Sequence, residues 1–297
     1  LCKLTIVSIC LIICAGGFVR MTGSGMGCPD WPKCFGYWIP PTKVSELPLN
    51  YKEIYSNRGY DKLDFNVFNT WAEYINRLLG AIGGLMCFSL FIVALASTNM
   101  RLILLSFFLL ILMAFQAWMG ALVVYSILSP FKITIHMFIA LLILCVLFIL
   151  YRITNFKKSE IKINNIWIWL GLVVSLLQIA LGTQVRESVD PFLDVLNRND
   201  IINKLPFVFE LHRTVAWLVL ISHSLILWFY KHLFYNHIEL FLIGLFTTLL
   251  ILSGLIMSYY SIIGFAQFIH LLCAVALFIC HFSLILKSIY LPNLKFP

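Results

Sequence analysis

Charged side chains are scarce in this 297-residue chain: aspartate, glutamate, lysine and arginine together make up only 11% of it. With 61% hydrophobic residues and a mean hydropathy of +0.95, that is too little charge to clothe a water-soluble surface. A soluble enzyme or soluble binding module is excluded, and a polytopic membrane protein is indicated. A basic stripe with interleaved aromatics is also missing, which removes nucleic acid as a partner despite a net charge of +8. The basic residues are instead dispersed and flank apolar runs. No Cys-x-x-Cys or His-x-x-x-His spacing occurs, which argues against structural zinc, and there is no histidine-rich array for copper.

The cysteines do not make a disulfide scaffold. Cys10, Cys14, Cys87, Cys145, Cys273 and Cys280 lie inside apolar runs, where cysteine behaves as a small hydrophobe. Only Cys28 and Cys34 share a polar loop. The run Leu4–Val19 lacks a small-residue cleavage pattern, and Leu11–Ile12–Ile13 lacks the small residue that precedes a lipidated cysteine at position 14. It reads as a first membrane helix, and because the chain opens on Leu1, further residues before it are expected.

What the chain has in abundance is apolar length. Spanning about 30 Å of hydrocarbon takes about twenty residues, and runs of that kind lie near 4–20, 74–97, 102–125, 133–151, 166–185, 210–230, 238–260 and 265–286. The short connections at 98–101 and 231–237, the 152–165 segment with Lys157, Lys158 and Lys162, and the tail after Lys287 carry the basic residues. These ends are expected at the cytoplasmic face, with both termini cytoplasmic. The remaining connections hold most of the acids, including Asp30, Asp61, Asp64, Asp190, Asp194 and Asp200, and are expected to face outward.

The halves echo each other. Gly16–Gly17–Phe18–Val19–Arg20 matches Gly182–Thr183–Gln184–Val185–Arg186; Asn76–Arg77 matches His212–Arg213; Gly120 and Gly254 open similar helix ends; His136 matches His270. Four helices per repeat is an even number, so the expectation is an all-α integral membrane fold of eight transmembrane helices, arranged as two parallel pseudo-repeated four-helix bundles. The expected domains are 1–154, a cytoplasmic linker at 155–165, and 166–297.

Three histidines, His136, His212 and His270, sit just inside the outer ends of even-numbered helices. Imidazole is the usual axial ligand of haem iron, and a porphyrin between helices needs ligands at equal depth on facing sides. His212 and His270 meet that requirement and are expected to hold a haem b. At the symmetric place in the first half stands Asn76, a poor iron ligand, so a five-coordinate iron on His136, or a water near Asn76, is expected there. Glu73 shares a helix face with Asn76 and can serve the same cavity or simply pair with Arg77. Arg77 and Arg213 suit haem propionates or snorkel to the interface. His223 and His281 each follow a ligand position by eleven residues, about 16 Å along the helix. A second haem between them would make a transmembrane dihaem b-type electron-transfer cytochrome. The Cys28/Cys34 loop can close a small disulfide, either structural or able to pass reducing equivalents.

Taken together, Gly16–Cys34 (GGFVRMTGSGMGCPDWPKC), Glu73–Gly80 (EYINRLLG) and the paired histidines of the second half resemble the haem A synthase family over essentially the whole chain. The resemblance implies an oxidoreductase of the membrane that converts haem O to haem A by oxidising the C8 methyl group to a formyl group, for cytochrome oxidase assembly. It implies haem O as substrate in the first half and haem b as cofactor in the second, located in the cytoplasmic (inner) membrane with the haem sites toward the outer face. The implied partners are a haem O-producing farnesyltransferase and an electron acceptor or donor, with a homo-oligomer as a compatible assembly. Residue by residue, Glu73 matches the family's essential glutamate, His136 its substrate-haem ligand, His212 and His270 its haem b ligands, and Cys28 and Cys34 its first-loop pair. Two departures stand out: many members carry histidine where this chain has Asn76, and no cysteine lies between Arg186 and Pro206. Glu73 then suits either general-base activation of water or stabilisation of positive charge beside the methyl group.

Overall fold

The computed structural model describes residues 1–125, 131–155, 166–192 and 198–289. Eight helices among them are long and apolar enough to cross a membrane: α1 (Cys2–Met21), α2 (Val67–Ala96), α3 (Met100–Tyr125), α4 (Lys132–Thr154), α5 (Ile166–Val189), α6 (Phe207–Phe229), α7 (Ile238–Tyr259) and α8 (Gly264–Ser288). In lipid only a helix satisfies every backbone group within its own segment, so apolar length converts directly into helix. All eight expected runs are borne out, and the described residues form no extended strand, only one isolated bridge between Cys34 and Tyr37. The expected linker 155–165, except Asn155, lies outside the described residues, as do Lys157, Lys158, Lys162 and Asp194.

One boundary differs in a way that matters. The second helix begins at Val67 rather than near residue 74, because the Asn66 side chain caps it by accepting from the Asn69 N–H at 3.1 Å. Glu73 therefore sits inside the helix, two turns from its start, and not at its mouth.

The chain divides into two compact units, one running from Leu1 to Leu150 and one beginning at Tyr151. In the first, α2 packs between α1 and α3. In the second, α5 packs on α6, α6 on α7, α7 on α8 and α8 back on α5, a closed four-helix bundle. One end of that bundle is tied by Glu239 of α7, which pairs with Lys287 at 2.5 Å and accepts from Ser283 at 2.8 Å, both on α8.

The long connection between α1 and α2 carries its own small core. Cys28, Cys34, Phe35, Leu47 and Tyr60 are buried together, with Met26, Tyr51, Tyr55, Phe65 and Tyr74 against them. Cys34 and Tyr37 close a tight turn by mutual backbone hydrogen bonds of 2.9 and 3.1 Å, with Phe35 and Gly36 both at positive φ (53° and 81°). Positive φ is unfavourable for a bulky residue. It is offset here because it drives the Phe35 ring into edge-to-face contact with Tyr51, Tyr55, Tyr60 and Phe65 at 5.6–5.9 Å, pairs worth about 0.5–1.5 kcal/mol each beyond burial. A smaller cluster in the second unit joins Val189 at the end of α5, Ile201 of the α5–α6 connection and Ile262 of the α7–α8 connection.

Candidate functional site

In the second unit the chain brings His212 of α6 and His270 of α8 face to face. Their ring centres are 6.2 Å apart and their planes inclined by 58°. Two imidazole–metal bonds of about 2 Å each place ligand nitrogens about 4 Å apart and ring centres roughly 6 Å apart, so the spacing suits one iron between the rings. Each ring leans on a glycine: a Cβ on Gly182 would lie 3.1 Å from His212 Cε1, and one on Gly254 would lie 3.6 Å from His270 Cε1. The ring of His270 has a partner at Nδ1, the Ser253 hydroxyl at 2.9 Å. His212 Nδ1 is buried with none. Two imidazoles at this spacing, one of them with Nδ1 already engaged by Ser253, fit a haem-iron ligand pair. Arg213 lies beside this site, 3.3 Å from the Tyr259 hydroxyl and 5.6 Å from the Phe209 and Tyr259 ring centres.

His223 and His281, eleven residues further along the same two helices, form a different arrangement. Their Nε2 atoms are 2.9 Å apart and their ring centres 4.9 Å apart, too close for an iron between them by the same arithmetic. The Gly171 backbone of α5 closes the space, since a Cβ there would come within 2.9 Å of His281 Cε1 and 2.6 Å of Ile226 Cδ1. His223 is further engaged by Thr247 Oγ1 at 2.9 Å and Ser175 Oγ at 3.3 Å. This is a hydrogen-bonded buried pair, and the geometry gives the dihaem alternative no second haem site here.

In the first unit, His136 of α4 sits against Gly120 of α3, whose Cβ would be 3.5 Å from the ring, and its Nδ1 is buried without a partner. Asn76 of α2 sits against Gly16 of α1 at 3.9 Å, its Oδ1 likewise buried and unpartnered. The glycine-against-ligand contact thus occurs at all four positions singled out by the sequence.

Glu73 does something the sequence did not disclose. It is 4% exposed, and its Oε2 accepts from the backbone N–H groups of Gly27 (2.8 Å) and Cys28 (3.0 Å), while Oε1 pairs with Arg77. Arg77 in turn donates to the carbonyls of Asp30 (2.6 Å), Lys33 (3.0 Å) and Cys28 (3.3 Å). The Thr70 hydroxyl donates to Gly27 O at 2.9 Å, and Tyr60 donates to Met26 O. Burial first, and the Glu73 carboxylate second, push the Tyr60 phenol well above its ordinary range, so it stays a donor. Arg58 reaches Pro29 O and lies 4.3 Å over the Tyr125 ring, and the Tyr125 hydroxyl donates to Trp31 O at 2.9 Å. Nearly every residue from Met26 to Lys33 is held by a side chain of α2, α3 or the loop itself. Within this latch Cys28 and Cys34 form a disulfide with both residues fully buried.

The side chains that sequence reasoning missed are Gln116, Gln178 and Ser253, which meet the histidines from the facing helices, and Gly27, on which the loop closes. The signal for the glutamines was present: each precedes by four residues the glycine that faces a histidine.

The family model for the cytochrome oxidase assembly protein (COX15-CtaA) matches residues 1–282. Among curated proteins, the chain is 27% identical to the heme A synthase of Shewanella oneidensis over 61% of this chain and 54% of that protein. It is 33% identical to the heme A synthase of Pelagibacter ubique over 59% and 56%, respectively. These matches span about half the length of the relatives. A third, to the heme A synthase of Ehrlichia ruminantium, is 25% identical and covers 97% of this chain and 93% of that protein.

Proposed function

The chain belongs to the cytochrome oxidase assembly protein family, and on that premise we propose that it is an integral membrane oxidoreductase converting haem O to haem A for cytochrome oxidase. The observation that carries the reading is the His212–His270 pair, whose ring spacing of 6.2 Å suits an iron and whose rings each rest on a glycine of a facing helix. His212 and His270 hold haem b in this reading, with Arg213 at a propionate. A haem saturated by two imidazoles supplies electron transfer. The substrate, haem O, would be held in the first unit through His136, while Asn76, at the position matching His212, would offer the iron no ligand. The likeness in sequence of the two halves supports their descent from one four-helix unit arranged in parallel.

Glu73 is the proposed catalytic carboxylate. Two backbone N–H groups and Arg77 hold it, so its charge is fixed in place before the substrate arrives, which is what electrostatic stabilisation of developing positive charge requires. Arg77 acts mainly as the anchor of the first outer loop. The buried Cys28–Cys34 disulfide staples that loop, and reducing it requires the loop to lift. The distribution of lysine and arginine supports cytoplasmic termini in the inner membrane with both haem sites toward the outer face. The farnesyltransferase that makes haem O and an electron carrier are the partners this activity needs, and self-association is compatible with it.

The test is extraction and mass analysis of porphyrins from the purified protein. Haem b accompanied by haem O or haem A is expected, with Glu73→Ala accumulating haem O. His212→Ala and His270→Ala should each abolish the low-spin haem b spectrum and His136→Ala should spare it. Haem b alone, with haem A production indifferent to Glu73→Ala, would overturn the proposal.

A further inference from the structure

Wherever the chain presents a candidate haem histidine, the facing helix presents a hydrogen-bonding side chain next to the glycine. Gln116 lies four residues before Gly120, Gln178 four before Gly182, and Ser253 one before Gly254. Residues four apart share a helix face, so in the first two cases an amide and a bare backbone patch face the same histidine. Gln116 donates to the backbone carbonyl of His136 at 3.1 Å. Gln178 donates to that of His212 at 2.9 Å and approaches the His212 ring nitrogen Nε2 at 3.3 Å. In both glutamines Oε1 is buried without a partner, as is Nδ1 of both histidines. Each contact thus contains one orphaned acceptor and one orphaned ring nitrogen.

The fourth position is an internal control. Asn76 faces Gly16, yet the residue four before that glycine is Ile12 and the one before it is Ala15. Where the iron ligand is missing, the polar partner is missing too. A partner that served only to bind two helices together would have no reason to disappear with the imidazole.

We propose that Gln116 and Gln178 are positioning residues for the haem histidines: each is anchored by its amide N–H to the histidine's backbone carbonyl, and its Oε1 serves as the acceptor for Nδ1–H, the ring nitrogen turned away from the iron, the part that Ser253 plays for His270. A metal-bound imidazole is oriented and made more basic by an acceptor at its outer N–H, and the glycine four residues on gives the ring its place. The inference rests on the reading that His136 and the His212–His270 pair bind haem.

Gln178→Leu and Gln178→Glu in the full-length purified protein test it. For Gln178→Leu, haem b retention should fall about 10- to 100-fold, and the midpoint potential of what remains should rise, because a less basic imidazole stabilises the ferric state less. Gln178→Glu, a stronger acceptor of the same length, should restore retention and bring the potential below the wild-type value. Gln116→Leu should leave the low-spin haem b spectrum and its potential untouched while lowering the haem O content. A wild-type protein without haem b would sink the underlying site assignment. Haem b present, but with retention and potential unchanged in Gln178→Leu, would sink this inference alone. If Gln178→Leu does not fold, the comparison of wild type with Gln178→Glu decides, and an unchanged potential there is equally fatal.

Discussion

Gly27→Ala concentrates the consequences of the loop latch in one methyl group. A Cβ at Gly27 would lie 2.3 Å from Asn69 O, 2.5 Å from Asn69 C and 2.8 Å from Thr70 N. All three are backbone atoms of a helix in mid-turn, so the helix cannot yield and the loop must lift. The need is for space alone, since Gly27 has an ordinary φ of −76°. Lifting removes the Gly27 and Cys28 N–H groups from Glu73 Oε2 and leaves a buried carboxylate with Arg77 as its remaining partner. Hydrogen bonds to a charged acceptor are worth about 1.5–3 kcal/mol each, so losing both costs about 3–6 kcal/mol. Two measurements check this. Thermal unfolding in detergent should fall by several degrees, and Cys28 and Cys34 should become alkylatable under a reductant too mild to open them in the wild type. Gly84→Ala, with open space at the Cβ position, should do neither. In a double-mutant cycle, Glu73→Gln should cost much less in the Gly27→Ala background than alone, because the same bonds are already broken. Full additivity, or an unchanged melting temperature and thiol reactivity in Gly27→Ala, would refute the latch.

Two further outcomes follow from the second unit. Gly182→Ala should weaken haem b retention by about 5- to 150-fold, the equivalent of about 1–3 kcal/mol of overpacking at a 3.1 Å contact. Gly254→Ala, at an ordinary 3.6 Å, should be nearly silent, and titration of apo-protein with haem distinguishes the two. His223→Ala and His281→Ala should each lower the thermal stability by about 1–3 kcal/mol, since each strands a buried partner, while the haem spectrum stays intact. Loss of a haem from either variant would restore the stacked-cytochrome alternative.

Much of the architecture was legible because the bilayer leaves so little choice. Apolar length, interrupted seven times, determined eight helices, and the spacing of His212 and His270 relative to their helix ends was enough to pair them. The same reasoning was blind wherever a side chain's partner lies far along the chain. Residues 27 and 73 are joined by a hydrogen bond over 46 positions, and no periodicity announces it. For that reason the pairing of Glu73 with Arg77 was within reach of the sequence, while the grip of the loop on its other oxygen was not. The early start of α2 depended on one cap at Asn66, a local signal too weak to compete with the apolar run that follows.

The histidines draw the same line. Sequence alone placed two histidines eleven residues apart on each of two helices, paired His212 with His270, and left open a second haem between His223 and His281. The packing of α5, α6, α7 and α8 sets the two pairs apart: Gly171 lets the helices close until His223 and His281 touch, while Gly182 and Gly254 support rings 6.2 Å apart. Composition determines that a chain must cross the membrane. Where a cofactor fits is set by separations of an ångström or two, and those exist only once the helices have packed.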